Sequence, residues 1–99
     1  MNVQINAVKF KADKKLEDFI QQKVNKLEQF YDGVLGSEVI LRVDASEKPQ
    51  NKITEIKLKI KGSDLFAKKQ SDSFEQATDN AVEALRRQLK KHKEKVRGK

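Results

Sequence analysis

The sequence predicts a single two-layer α+β domain over residues 1–99, ordered β-α-β-β-β-α, with two helices on one face of a four-stranded sheet. Three observations lead there. Apolar and polar residues alternate with period two in the first residues and again around residues 40 and 57, the mark of half-buried strands. Segments 16–31 and 74–92 instead repeat apolar residues every three or four positions, as amphipathic helices do. A chain of 99 residues without cysteine buries about two-thirds of its unfolded surface in one core and needs no disulfide.

Val3, Ile5 and Ala7 alternate with Asn2, Gln4 and Asn6 and form the first strand. Asp13 is placed to cap the helix that follows, whose stripe is Leu16, Phe19, Ile20, Val24, Leu27, Phe30 and Tyr31. That helix runs for about five turns. Asp32-Gly33 ends it, with the glycine expected in the left-handed conformation.

Glu38–Ser46 reads as the second strand, with Val39, Leu41, Val43 and Ala45 on one face and Ile40, Arg42 and Asp44 on the other. Ser46–Asn51 is a loop holding the single proline. Thr54, Ile56, Leu58 and Ile60 alternate with Glu55, Lys57, Lys59 and Lys61 in a third strand. A turn at Gly62-Ser63-Asp64 leads to a shorter fourth strand, Leu65–Gln70. The first two strands can be parallel through a right-handed helical crossover, and the last three form an antiparallel meander.

The final helix starts at a capping-box-like Asp72 with Glu75 three residues on. Its stripe is Phe74, Ala77, Thr78, Ala81, Val82, Leu85, Leu89 and His92. From Leu85 onward it carries eight lysines and arginines and one glutamate, while residues 1–84 carry fourteen basic and fourteen acidic side chains. The whole net charge of +7 therefore sits on the basic helix end, 85–99. The helix dipole favours a C-terminal cation by about 0.3–1 kcal/mol and fades within a turn, so it explains one or two lysines and not eight. An anionic partner explains them.

Arg86, Lys90, Lys93 and Arg97 project from nearly one line, and Arg87, Lys91 and Lys95 from its neighbour. Lys23 and Lys26 add cations on the first helix, and Arg42 with Lys57, Lys59 and Lys61 on the open face of the sheet. A phosphate backbone matches such a ridge. Helices behind a small sheet, with basic flanks, are also how double-stranded-RNA-binding domains read shape and phosphates, so the expected architecture is of that kind. No exposed aromatic pair lies on a central strand, which points to phosphate recognition without base reading.

Chemistry of other kinds finds little footing. His92 is the single histidine, no cluster has metal-ligand spacing, and four glycines form no phosphate loop. Asp79 and Glu83 share a helix face and read as surface charge balancing Arg86 and Arg87. The expectation is a protein that is not an enzyme and needs no cofactor or small-molecule substrate. No apolar run reaches the roughly eighteen residues of a membrane span, and no signal-peptide pattern opens the chain, so a cytoplasmic protein without a membrane partner is expected.

Residues 72–79 and 85–95, above all Gln88-Leu89-Lys90-Lys91-His92-Lys93, resemble the ribosome hibernation promoting factor family of ribosome-associated translation inhibitors. Lys26-Leu27-Glu28-Gln29 on the first helix is similar to a signature of the same family, and the element order matches over essentially the whole chain. The resemblance implies a stationary-phase or stress protein that binds the small ribosomal subunit in the channel of messenger and transfer RNA and blocks translation by occupancy. It implies ribosomal RNA contacts at Lys23, Lys26, Arg86, Arg87, Lys90, Lys91, His92 and Lys93, with Arg42 on the second strand as a further one. His92 serves equally as a packing residue, since it lies on the apolar stripe. The chain looks like the short type, which would need a separate factor to dimerise ribosomes. It departs from the family at Ser73, where a larger residue is common, and in the additional Arg97 and Lys99.

Two other readings predict different behaviour. A generic RNA- or DNA-binding module would be indifferent to intact ribosomes. A regulatory protein docking its basic helix on an acidic protein, such as a transcription factor, would form a complex that survives nuclease.

Overall fold

The computed structural model describes residues 1–45 and 49–97, with side chains as far as Lys95. The first part of the expected 46–51 loop, the Arg97 side chain and Lys99 lie outside the described residues. The elements are β1 (Asn2–Ala7), α1 (Lys14–Asn25), a 3₁₀ segment (Lys26–Phe30), β2 (Val34–Val43), β3 (Lys52–Ile60), β4 (Ser63–Ser71) and α2 (Phe74–Arg97). One sheet takes the strands in the order β1-β2-β3-β4, with β1 parallel to β2 and both later pairings antiparallel.

The period-two pattern sets which face is covered. Val39 and Leu41 of β2 and Ile56, Leu58 and Ile60 of β3 point inward. They share one core with Ile20, Val24 and Leu27 beneath the first helix and with Phe74, Ala81, Leu85 and Leu89 of α2. Thr54 and Thr78 are polar members of this interior, fully buried, with their hydroxyl oxygens 3.3 Å apart. That contact pins α2 to the first half of β3.

Several boundaries differ from the sequence reading, each for a local reason. Asp13 caps α1 as expected, its Oδ1 accepting from the Leu16 N–H at 2.8 Å. The helix then tightens into the 3₁₀ segment, and Phe30, placed on the apolar stripe, is exposed (39%) because the tighter winding rotates it off the core. Gly33 does not take a left-handed φ. Its reason for being glycine is space: a Cβ there would lie 2.5 Å from the Tyr31 ring.

β2 starts at Val34 rather than Glu38, through a bulge between Val34 and Gly36 that hides the alternation. At its other end Val43 was expected in the core but is 48% exposed. β1 stops pairing at Ala7–Leu41, so Val43 keeps a strand neighbour on the β3 side alone, at Lys52.

β4 is as long as β3, not shorter. Ser63 and Asp64 pair with Ile60 and Lys59, leaving a two-residue turn at Lys61-Gly62. Gly62 takes a φ of +86°, where any side chain would be strained. The cap of α2 is Ser73, one residue later than the expected Asp72: its Oγ accepts from the Gln76 N–H at 3.1 Å.

Candidate nucleic-acid interface

α2 is 24 residues long, about 36 Å, and outlasts the core that holds it. Leu89 is the last side chain fully buried on its stripe. One turn later His92 is half-buried, its ring edge-on to Tyr31 at 5.2 Å between centroids. The remaining described turn bears Lys93, Glu94 and Lys95, all exposed. The basic end is thus a rod projecting from the domain.

Three contacts set the first helix beside it. Lys23 Nζ lies 3.2 Å from Asp79, the Arg86 guanidinium sits over the Phe30 ring at 5.9 Å, and Tyr31 meets His92. The pairs advance together along both chains, so α1 and its 3₁₀ extension run parallel to α2. The seam brings Lys23, Lys26 and Arg86 to one side of the molecule. Phe30, exposed and covered by an arginine, thereby acquires a role that a stripe of core residues did not suggest.

The cations fall into two electrostatic groups. Arg86 is held by Glu83 through Nε at 3.1 Å and through Nη2, and Arg87 reaches the same carboxylate at 3.4 Å. Hydrogen bonding from Arg86 holds the Glu83 carboxyl below its ordinary value of 4.5 and raises the arginine in return. Lys23 is paired to Asp79, and its ammonium also lies 5.5 Å from the Phe19 ring centroid. By contrast, Lys26, Lys90, Lys91, Lys93 and Lys95 make no ion pair among the described residues. These can meet a phosphate without first giving up a carboxylate. The balancing of Arg86 and Arg87 expected of Asp79 and Glu83 is done by Glu83, while Asp79 serves Lys23.

Arg42 is not part of this cluster. It lies on the open face of the sheet, its Nε 3.1 Å from Glu55. Lys57 and Lys59 on the same face pair with Asp64 and Glu38 at 3.6 and 3.7 Å. A face of mixed, paired charges is the arrangement of a solvated sheet surface.

Two residues escaped the sequence reading. Lys69 lines a groove between β4 and α2 with Asn80, Glu83, Ala84 and Arg87, extending the positive flank of the helix onto the sheet edge. Its position, two residues after Ala67 in the inward register, was the available signal. Phe66 is the other, 54% exposed on β4, where Gln88 Nε2 donates to its backbone carbonyl at 3.0 Å. Among the described residues no group of three His, Asp or Glu side chains gathers as a metal site would, and no helix is long and apolar enough to cross a membrane.

Known proteins place this geometry in a family. The chain is similar to the ribosome hibernation promoting factor of Pseudomonas putida, 34% identical over 95 residues that span 96% of this chain and 89% of that protein. The factor of the same name from Escherichia coli is 28% identical over 100 residues, with 98% of each chain covered. Two solved structures share the fold. The N-terminal domain of Thermus thermophilus Protein Y aligns with a TM-score of 0.80 at 22% identity, over 93% of this chain and 99% of that one. A ribosomal subunit interface protein from Coxiella burnetii aligns at 0.82 and 22% identity, over 94% and 98%. The family described as Sigma 54 modulation protein / S30EA ribosomal protein matches residues 3–97, and this chain belongs to it.

Proposed function

We propose that this protein is a ribosome hibernation factor of the cytoplasm. It binds the small ribosomal subunit through ribosomal RNA phosphates in the channel of messenger and transfer RNA. Occupying that channel keeps idle ribosomes out of translation in stationary phase or stress. The observation that carries the reading is the projecting end of α2, where Lys90, Lys91, Lys93 and Lys95 stand exposed and, among the described residues, without carboxylate partners. The names of the relatives from Pseudomonas putida and Escherichia coli support the ribosome as target.

The physical logic is occupancy rather than chemistry. Each lysine that neutralises a phosphate releases condensed counterions, so binding is strong at low salt and carries little sequence information. A rigid helix on a packed domain delivers these charges at fixed spacing, which a flexible basic tail would not. Lys23, Lys26, Arg86 and Arg87 broaden the contact along the α1–α2 seam, and His92 holds the rod against Tyr31.

The test is competition on isolated small subunits. Bound protein should be displaced by messenger RNA with initiator transfer RNA, and should exclude them when added first. Simultaneous binding of all three would overturn channel occupancy. A one-to-one complex with an acidic protein that survives nuclease, in the absence of subunit binding, would replace the ribosome as target.

A further inference from the structure

A second feature lies near the other end of the molecule. Val8, Lys9, Phe10, Arg42 and Val43 line a cavity of about 340 Å³, within the roughly 300–1,000 Å³ of small-molecule clefts. Phe10 stacks on Phe74, the first residue of α2, with ring centroids 5.2 Å apart. From Phe74 to Lys90 the helix advances about 24 Å, so the cavity is far from the lysine cluster.

Its construction is unusual in two ways. Lys9 has a φ of 66°, the left-handed region that a lysine seldom adopts. That kink turns three consecutive residues, Val8 to Phe10, onto one cavity, where an extended strand would alternate them. Val43 is 48% exposed on the opposite wall although the alternation of β2 assigns it to the core. The result is an apolar wall with two cations beside it. Lys9 makes no ion pair among the described residues, and Arg42 gives Glu55 its Nε, one of the five N–H donors of a guanidinium.

We infer that this cavity holds one unstacked nucleotide of single-stranded RNA, its base on Val8, Phe10 and Val43 and its phosphate between Lys9 and Arg42. The inference rests on the RNA-binding reading above. Charge and shape select the occupant. An apolar ligand would leave Lys9 and Arg42 unused, and a bare phosphate would leave the apolar wall wet. Duplex RNA keeps its bases stacked inside and offers only its backbone, whereas an unpaired strand offers a base face and a phosphate together. Both sides of the protein then touch RNA, the α2 end by charge alone and this end by charge and base contact.

The experiment is a titration of the whole chain with a single-stranded uridine hexanucleotide, followed by amide NMR. Three variants accompany the wild type: Lys9→Gly, Val43→Glu, and the triple reversal Lys90→Glu, Lys91→Glu, Lys93→Glu. Glycine suits the backbone at position 9, so Lys9→Gly should melt no lower than wild type while binding about tenfold more weakly, the order of one lost charge-assisted contact. Signals of Lys9, Phe10, Arg42 and Val43 should move in the wild type and in the triple variant, and those of Lys9, Phe10 and Arg42 should stay still in Val43→Glu. If only α2 signals move in the wild type, the cavity is empty and the basic end alone binds. Equal movement with duplex RNA would reduce the cavity to phosphate attraction and overturn the base contact. Uridine monophosphate binding as tightly as the hexanucleotide would make a free nucleotide the ligand and overturn the RNA assignment.

Discussion

Replacing Glu83 with glutamine should strengthen binding to the small subunit, although it removes the most connected carboxylate on α2. Glu83 accepts from Arg86 Nε at 3.1 Å and from its Nη2, and Arg87 reaches it at 3.4 Å. One carboxylate therefore holds two of the cations of the proposed interface. Glutamine keeps the shape and releases both guanidiniums for phosphate. Each additional phosphate neutralised steepens the log–log salt dependence by about 0.9, or roughly 3.5-fold in affinity between 50 and 200 mM salt, with duplex DNA as guide. Two released arginines give about a tenfold gain at the low-salt end, and the advantage shrinks as salt rises. Equilibrium binding of labelled protein to purified small subunits at several salt concentrations measures both. Unchanged or weaker binding of Glu83→Gln would refute the reasoning and show that Glu83 aims the arginines instead of competing for them.

Other expectations concern the fold. Thr54→Val or Thr78→Val alone strands a buried hydroxyl and should cost about 1–3 kcal/mol in urea unfolding, while the double substitution should recover most of the loss. A double variant as unstable as the sum of the singles would deny the contact between the two hydroxyls. Gly33→Ala drives a Cβ into the Tyr31 ring and should cost about 1–3 kcal/mol. It should also free His92, seen as a shift of the imidazole signals, and unshifted signals would contradict the packing. Acid should weaken the native state partly through Glu83. Its carboxyl titrates lower when folded, so its contribution is present above about pH 4.5 and is lost as pH falls through the folded value. Wild type should therefore lose more stability below that pH than Glu83→Gln, and parallel curves would contradict this.

Where one periodicity ruled a segment, the sequence was sufficient. The stripe from Phe74 to Leu89, with Val82 half-buried at its margin, and the alternation of Ile56, Leu58 and Ile60 are recovered in the core. What failed depended on partners. Nothing local in Leu35-Gly36-Ser37 announces a strand, because β1 and β3 impose it across a bulge. Ser63 and Asp64 carry turn chemistry, yet cross-strand pairing with Ile60 and Lys59 draws them into β4. Val43 fits the inward register, and only the early end of β1 exposes it.

The site was legible as a list of cations and not as a ranking. Lys23 looked like Lys90 and Lys93 until the structure gave it Asp79. Of the two carboxylates expected to balance Arg86 and Arg87, Glu83 is the one that does so. Arg42, on the open face of the sheet as the alternation of its strand indicated, lies apart from the α2 cations and pairs with Glu55. Such distinctions depend on which carboxylates fold next to which cations, a long-range property that charge counts along the chain do not contain.

The account stands or falls on co-sedimentation with separated ribosomal subunits across a salt series, comparing wild type with the fourfold variant Lys90→Gln, Lys91→Gln, Lys93→Gln and Lys95→Gln. The result expected is saturable binding to the small subunit, falling about a thousandfold between 50 and 200 mM salt if six phosphates are contacted. The variant should bind weakly, with a log–log slope shallower by about 3.6 if each of the four lysines meets one phosphate. Equal binding to both subunits and to arbitrary duplex RNA, or a variant indistinguishable from wild type, would contradict the claim that the projecting lysines of α2 dock this protein on the small subunit.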